Sequence, residues 1–190
     1  MKKNKALLIL NLQNDYCDGG PMAIPGTLKI IPEINRIRKY FDIIIFIKDW
    51  YPDDHISFLD HNKYLKHCIQ NTKGAELNSG FIIKDSDYIV NKNTLIMYDS
   101  DSAFYDAKLI EKKSKLDNIL KINKIKQIYL CGGNIETTIF STALDAIYLN
   151  YECYIITDLA VGKIETKKIQ TYEYLKKIGV KLIKNYKIKN

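Results

Sequence analysis

Residues Tyr129 to Ala146 read YLCGGNIETTIFSTALDA, a short apolar run that stops at two glycines before an amphipathic segment begins. Ile128 to Cys131 is β-prone and is bounded by Gly132 and Gly133, whereas Ile135, Ile139, Thr142, Ala143, Ala146 and Ile147 recur at helical spacing. The pattern predicts a strand that feeds a helix through a glycine turn. In an open α/β sheet such a turn lies at the carboxyl end of a strand, where N–H groups at a helix start can hold an oxyanion or a polar substrate group. An ordinary strand-to-helix connection writes the same local pattern, so the turn becomes a candidate site only if other stretches converge on it.

Upstream, Ala6 to Asn11 (ALLILN) is a near-continuous apolar run, the signature of a strand covered on both faces and hence of a parallel sheet. QNDYCDGGPMAIPG follows and reads as a loop. Ile30, Ile31, Ile34, Ile37 and Phe41 then share a helical face; Thr27 is a candidate N-cap, and Pro32, comfortable only in a first turn, predicts that the regular helix begins there. Ile43 to Lys48 (IIIFIK) is a second buried strand ending at Asp49, before the loop WYPDDHISF. Leu59 to Gly80 lacks periodicity and holds His61, His67, Cys68 and Gly74, which predicts loops and short turns over a pocket. Tyr88 to Val90 and Leu95 to Met97 flank Lys92 and predict a third strand and a nearby extended piece.

Asp106 to Ile122 carries Leu109, Ile110, Leu116, Ile119 and Leu120 among lysines, the pattern of an outer helix. Past the central turn, Tyr154 to Thr157 reads as a strand, Thr166 to Ile178 as a helix with Gly179 at its end, and Val180 to Ile183 as the last strand. Such alternation predicts a three-layer α/β/α architecture, a mostly parallel sheet of five or six strands, in one domain over residues 1–190.

Composition narrows the function classes. The four cysteines, Cys17, Cys68, Cys131 and Cys153, form no C-x-x-C pair, which argues against a zinc ribbon or a secreted disulfide framework and for reduced thiols in a cytoplasmic protein. MKKNKALLIL has a basic start and an apolar run, but Asn11, Gln13, Asn14 and Asp15 end the run too early for a signal peptide. No apolar stretch has the length needed to cross a bilayer. The formal charge of +7 raises nucleic acid as a partner, yet the lysines are dispersed and only Arg36 and Arg38 could read bases bidentately. A compositional bias toward Lys, Asn, Ile and Tyr accounts for the charge without a polyanion.

Three stretches are expected at one sheet edge: LNLQNDYCDGG after the first strand, KDWYPDDHISF after the second, and CGGNIETTIFSTALDA at the central turn. With HCIQNTKGAEL at His67 to Leu77, the segment around Lys92, and DSDSAFYD at Asp99 to Asp106, they resemble the isochorismatase-like superfamily, in its nicotinamidase (pyrazinamidase) branch. The resemblance spans nearly the whole chain. It implies a Rossmann-like three-layer fold and an amidase with a cysteine nucleophile, an aspartate base and a lysine. A divalent metal (zinc, iron or manganese) holds the substrate's pyridine nitrogen, and a cis peptide in the oxyanion turn falls at Gly133 to Asn134.

Residue by residue, the match departs where the chemistry sits. The family aspartate falls on Asn11 and the nucleophilic cysteine on Thr138, so that of the three catalytic positions only Lys92 is kept. The metal motif reads Asp49, Tyr51, His55, with Tyr51 in place of a histidine, while His67 matches another histidine near the metal. Gln13, Asp15, Trp50, Phe104, Gly133 and Asn134 are the implied substrate-side positions. Isochorismatase chemistry dispenses with the cysteine but still needs the aspartate. Asp49 and His55 could instead bond one another, Lys92 could be solvated, and Glu136 could be a replacement acid or base or a plain helix-dipole partner. The resemblance thus implies a catalytically impaired protein kept for small-molecule binding or assembly, with a small aromatic amide or acid and a homo- or hetero-oligomeric partner as candidate ligands. The alternative is a working amidohydrolase that uses Thr138 with Lys92 or Glu136.

Overall fold

The computed structural model of the chain describes residues 4–58 and 64–188. Strand β1 (Lys5–Leu10) is buried along its whole length. Its side chains alternate between two cores: Ala6, Leu8 and Leu10 enter one, Leu7 and Ile9 the other. β2 (Ile43–Asp49) does the same with Ile45 and Ile47 against Ile44 and Phe46. A strand apolar on both faces needs a helical layer on each, and both layers are present.

Helix α1 (Thr27–Ile37) covers one face through Ile30, Ile31, Ile34 and Ile37. β3 (Tyr88–Lys92) comes next, then a small antiparallel pair, β4 (Tyr105–Ala107) and β5 (Lys112–Lys113). Helix α2 (Leu116–Ile122) is followed by β6 (Gln127–Gly132), a π-helical turn Ile135–Ile139 running into α3 (Phe140–Tyr148), β7 (Glu152–Ala160), α4 (Glu165–Lys177) and β8 (Lys181–Ile183). α2, α3 and α4 cover the second face through Leu116, Leu120, Ala143, Ala146 and Leu175. The sheet has six strands in the order β3-β2-β1-β6-β7-β8, every pair parallel. The chain order reverses between β1 and β6, so a crevice at the carboxyl ends of these two strands is the natural ligand position.

Four local expectations need correction. α1 begins at Thr27, not Pro32; the cap position is Gly26 (φ 88°), and the Asp18 carboxylate accepts from the Leu28 N–H at 3.3 Å. Pro32 sits inside the helix at a cost limited to one bond toward the Leu28 carbonyl, on an exposed turn. The helix expected over 106–122 is only Leu116–Ile122, because Asp106 accepts from the Thr94 N–H at 2.8 Å and pairs with Lys112 at 2.8 Å, pinning a hairpin whose Leu109 is 83% exposed. Leu95 to Met97 is a bend rather than an extended piece.

Candidate active site

The glycine turn after β6 exists because nothing else fits. Gly132 has φ 103°, and a Cβ there would lie 2.2 Å from the Leu10 carbonyl oxygen of the neighbouring strand. The turn carries a cis peptide between Gly133 and Asn134 and leads into the π-turn that holds Thr138. Asn11 is the first residue beyond β1, in left-handed conformation (φ 50°), with its N–H on the Ile47 carbonyl at 3.1 Å. Strand register therefore brings Asn11 and Thr138 face to face, Asn11 Nδ2 lying 3.4 Å from Thr138 Oγ1.

Asp49 and Lys92 are register partners at the ends of β2 and β3. Lys92 Nζ lies 2.5 Å from Asp49 Oδ1 and donates to the Ser100 carbonyl at 2.6 Å. At 1% exposure Lys92 is not solvated, which corrects that reading. Asp49 takes three further donors: Asn11 Nδ2 (2.7 Å) and the Tyr16 hydroxyl (2.6 Å) at Oδ2, and Asn93 Nδ2 (2.8 Å) at Oδ1. A buried carboxylate with four donors is fully satisfied. Asp49 and His55 do not bond one another. Instead His55 Nε2 faces the Tyr98 carbonyl at 3.3 Å, and Nδ1 accepts from the Ser57 N–H at 3.1 Å.

The positions of the metal motif lie in an aromatic nest. Tyr51 packs edge-on against His55, Phe58 and His67, and His67 against Tyr16 and Phe58. The Tyr51 hydroxyl accepts from Asn93 Nδ2 at 3.0 Å, and burial together with Asp49 pushes the Tyr51 and Tyr16 phenols well above their ordinary range. His67 keeps Nδ1 on the Leu65 carbonyl at 2.7 Å, and burial lowers its pKa despite that bond. With Asp49 saturated, both His55 nitrogens engaged and Tyr51 a neutral phenol, these residues do not fit a divalent ion. Among the described residues no group of three or more His, Cys, Asp or Glu side chains is placed to hold one. His61 lies outside the described residues.

A cavity of about 720 Å³ opens over this floor. Asn11, Asp49, Tyr51, His67, Lys92, Asn134 and Thr138 line it, joined by Tyr16, Asp99, Asp101 and Lys163, which sequence reasoning missed. Of the substrate-side positions, Gln13, Asp15, Trp50, Phe104 and Gly133 do not line it. Gln13 is fully buried and clamps the Asp49 backbone, accepting from its N–H and donating to its carbonyl, each at 2.7 Å. Asp15 accepts from the Cys68 N–H at 2.7 Å, Trp50 lies under Lys48 Nζ at 4.3 Å, and Phe104 stacks on Tyr151 inside the core. Asn93 and Ser100, which fix Asp49 and Lys92, lie in stretches that the resemblance covers but that gave neither of them a role.

At the helix start Ile135 donates to the Val161 carbonyl, Glu136 to Asn134 Oδ1, and Thr137 and Ile139 to the Asn134 carbonyl. One chemical expectation is corrected. Glu136 does not line the cavity; its Oε1 accepts from the Ile164 N–H at 2.9 Å. None of the four cysteines lines it either, and burial raises all four thiols, Cys153 to about 12.

The sequence profile of the Isochorismatase domain family matches residues 5–185. A nicotinamidase of Acinetobacter baylyi is 30% identical over 172 residues, covering 82% of this chain and 80% of its own. A probable inactive nicotinamidase of Arabidopsis thaliana is 28% identical over 194 residues, covering 94% and 91%. The zinc-bound pyrazinamidase of Pyrococcus horikoshii superimposes with a TM-score of 0.86 at 31% identity, covering 95% of this chain and 99% of its own. Fold, strand-end geometry and sequence agree, and the chain belongs to the isochorismatase-like superfamily, in its nicotinamidase branch.

Proposed function

We propose that the protein binds a small aromatic amide in the cavity between β1 and β6 and does not hydrolyse it at an enzymatic rate. The observation that carries this reading is the meeting of Asn11 and Thr138 at 3.4 Å, with Lys92 turned onto Asp49. Covalent amide hydrolysis needs a nucleophile and a neighbouring group that takes its proton. An asparagine amide accepts no proton at neutral pH, and a threonine hydroxyl is far less acidic than a thiol. Lys92 is turned away from Thr138, paired with Asp49 and donating to the Ser100 carbonyl. The nicotinamidase relatives supply the ligand class, and the Arabidopsis relative described as a probable inactive nicotinamidase supports the non-catalytic part of the reading.

Purified protein incubated with nicotinamide should release ammonia at a rate lower by at least about 10⁴-fold than an active nicotinamidase, the scale of loss when a cooperating catalytic unit is broken. Calorimetry should at the same time detect nicotinamide binding. Turnover within about tenfold of the active enzyme would overturn the reading in favour of an amidohydrolase that uses Thr138.

A further inference from the structure

A second cavity, of about 330 Å³, lies on the opposite edge of the sheet, against the start of β2. Arg36, at the end of α1, lines it with Arg38 and Lys39 of the turn that follows, and Ile82 and Lys84 line it from the loop before β3. Only two of the chain's 29 lysine and arginine residues are arginines, and both stand here. Arginine in a chain so biased toward lysine marks a place where a planar fork of donors is used. We propose that this cavity binds a phosphate monoester with an apolar organic part, at a site separate from the cavity between β1 and β6. The walls are built for it. The Arg38 side chain is 7% exposed; its Nη2 donates to the Asp87 oxygens at 2.8 and 2.6 Å and its Nη1 to the Ile82 carbonyl, while its Nε–H has no acceptor among the described residues. Asn35 ties down the same loop, donating to the Gly80 carbonyl at 2.8 Å and accepting from the Ile82 N–H at 3.1 Å.

The two carboxylates in the wall already have partners: Asp87 accepts from Arg38 and from the Lys84 N–H at 2.8 Å, and Asp42 from the Lys5 N–H at 2.7 Å. The cations are less well served. Lys84 Nζ has no ion-pair or hydrogen-bond partner among the described residues, and Lys39 Nζ faces the Tyr40 ring at 5.2 Å. Glu33, outside the cavity, accepts from Arg36 Nε at 3.0 Å and fixes the plane of that guanidinium. Four cations around one hollow, against two carboxylates, attract an anion and repel one another without it. A phosphate monoester carries close to two negative charges at neutral pH and three acceptor oxygens, so it meets several of these donors at once, where a carboxylate brings one charge and two oxygens. The cavity has room for more than the phosphate. Ile82, 58% exposed, gives the mouth an apolar side against which an organic group loses water.

The test is calorimetry at neutral pH and low salt with phenyl phosphate, inorganic phosphate and phenol, on wild type, the double variant Arg36→Ala with Lys84→Ala, and Lys163→Ala as a control in the other cavity. Both side chains changed in the double variant are exposed, so its fold is not at stake. Phenyl phosphate should bind at least about tenfold more tightly than phenol and about threefold to tenfold more tightly than inorganic phosphate. The double variant should lose at least about tenfold, as should wild type in about 0.5 M salt, and Lys163→Ala should lose nothing. Phenyl phosphate failing to bind at millimolar concentration, or binding the double variant as tightly as wild type, would overturn the proposal. A loss in Lys163→Ala as large as in the double variant would move the ligand to the other cavity and overturn it too. Inorganic phosphate binding as tightly as phenyl phosphate would overturn the assignment to a monoester.

Discussion

At Asp49 two oxygens collect four donors, and the ammonium of Lys92 is the one whose loss would be felt most. Asp49→Asn removes the carboxylate in direct contact with that ammonium, which is 1% exposed, and turns an amide against Asn11, Tyr16 and Asn93. Breaking a buried pair from one side costs about 3–5 kcal/mol, so urea denaturation should show a loss of that size. A loss under about 1 kcal/mol, the range of an exposed pair, would mean that Asp49 does not hold Lys92. His67 gives a pH prediction. Its folded-state pKa lies below the unfolded value of about 6.5, so the unfolded chain takes up the proton first as pH falls. The stability from a neutral His67 is therefore complete above about pH 6.5 and is lost as pH falls toward the depressed value. Unfolding curves from pH 7.5 to 5 should fall more steeply for wild type than for His67→Phe; parallel curves would refute a buried neutral imidazole. The meeting of Asn11 and Thr138 could be expected from the sequence, because motif spacing carries both to one sheet edge. The capture of Lys92 by Asp49 could not, since it depends on the pairing register of β2 and β3.

At the scale of elements, the Gly132 turn and the Gly179 turn share a backbone conformation and differ in what surrounds them. Both have φ near 100°, but a Cβ at Gly132 meets the Leu10 backbone at 2.2 Å, whereas nothing lies within 4 Å of one at Gly179. Gly179→Ala should therefore cost only the backbone strain, about 1–2 kcal/mol. Gly132→Ala adds a clash with main chain that no rotamer relieves, and should cost about 3 kcal/mol or more. Equal losses in thermal denaturation would mean that β1 yields to the new methyl group. β1, β2 and β6 were legible because burial on both faces writes an uninterrupted apolar run. The hairpin of β4 and β5 was not, because Leu109 and Ile110 supplied apolar residues at helical spacing while standing out in solvent. The anchor that prevents a helix there, Asp106 on Thr94 and Lys112, joins residues too far apart for any local pattern to show.

The six-stranded order β3-β2-β1-β6-β7-β8 brings the ends of four strands, β2, β1, β6 and β3, to one cavity, and this convergence makes reconstruction a fair test of the whole arrangement. Thr138→Cys alone supplies a thiol with no base, and a free thiol of pKa about 8.5 is mostly protonated at neutral pH. Asn11→Asp alone sets a second carboxylate 2.7 Å from Asp49 Oδ2, so the two must share a proton or compete for Lys92, and Thr138 remains a poor nucleophile. Together the changes place an acid, a thiol and an ammonium around one floor: the acid draws the thiol proton, and Lys92, already within reach of Asp49, balances the added charge. Tyr51→His adds an imidazole but removes the phenol oxygen that accepts from Asn93, and His55 stays turned to Tyr98, so the double mutant is the cleaner test. The double mutant should release ammonia from nicotinamide at least about tenfold faster than either single mutant, since the paired groups act as a unit and their effects do not add. A folded double mutant that binds nicotinamide and gains nothing would count against Asn11 and Thr138 as the residues that limit hydrolysis and point to the cavity wall, where Tyr51 and His67 stand in the aromatic nest.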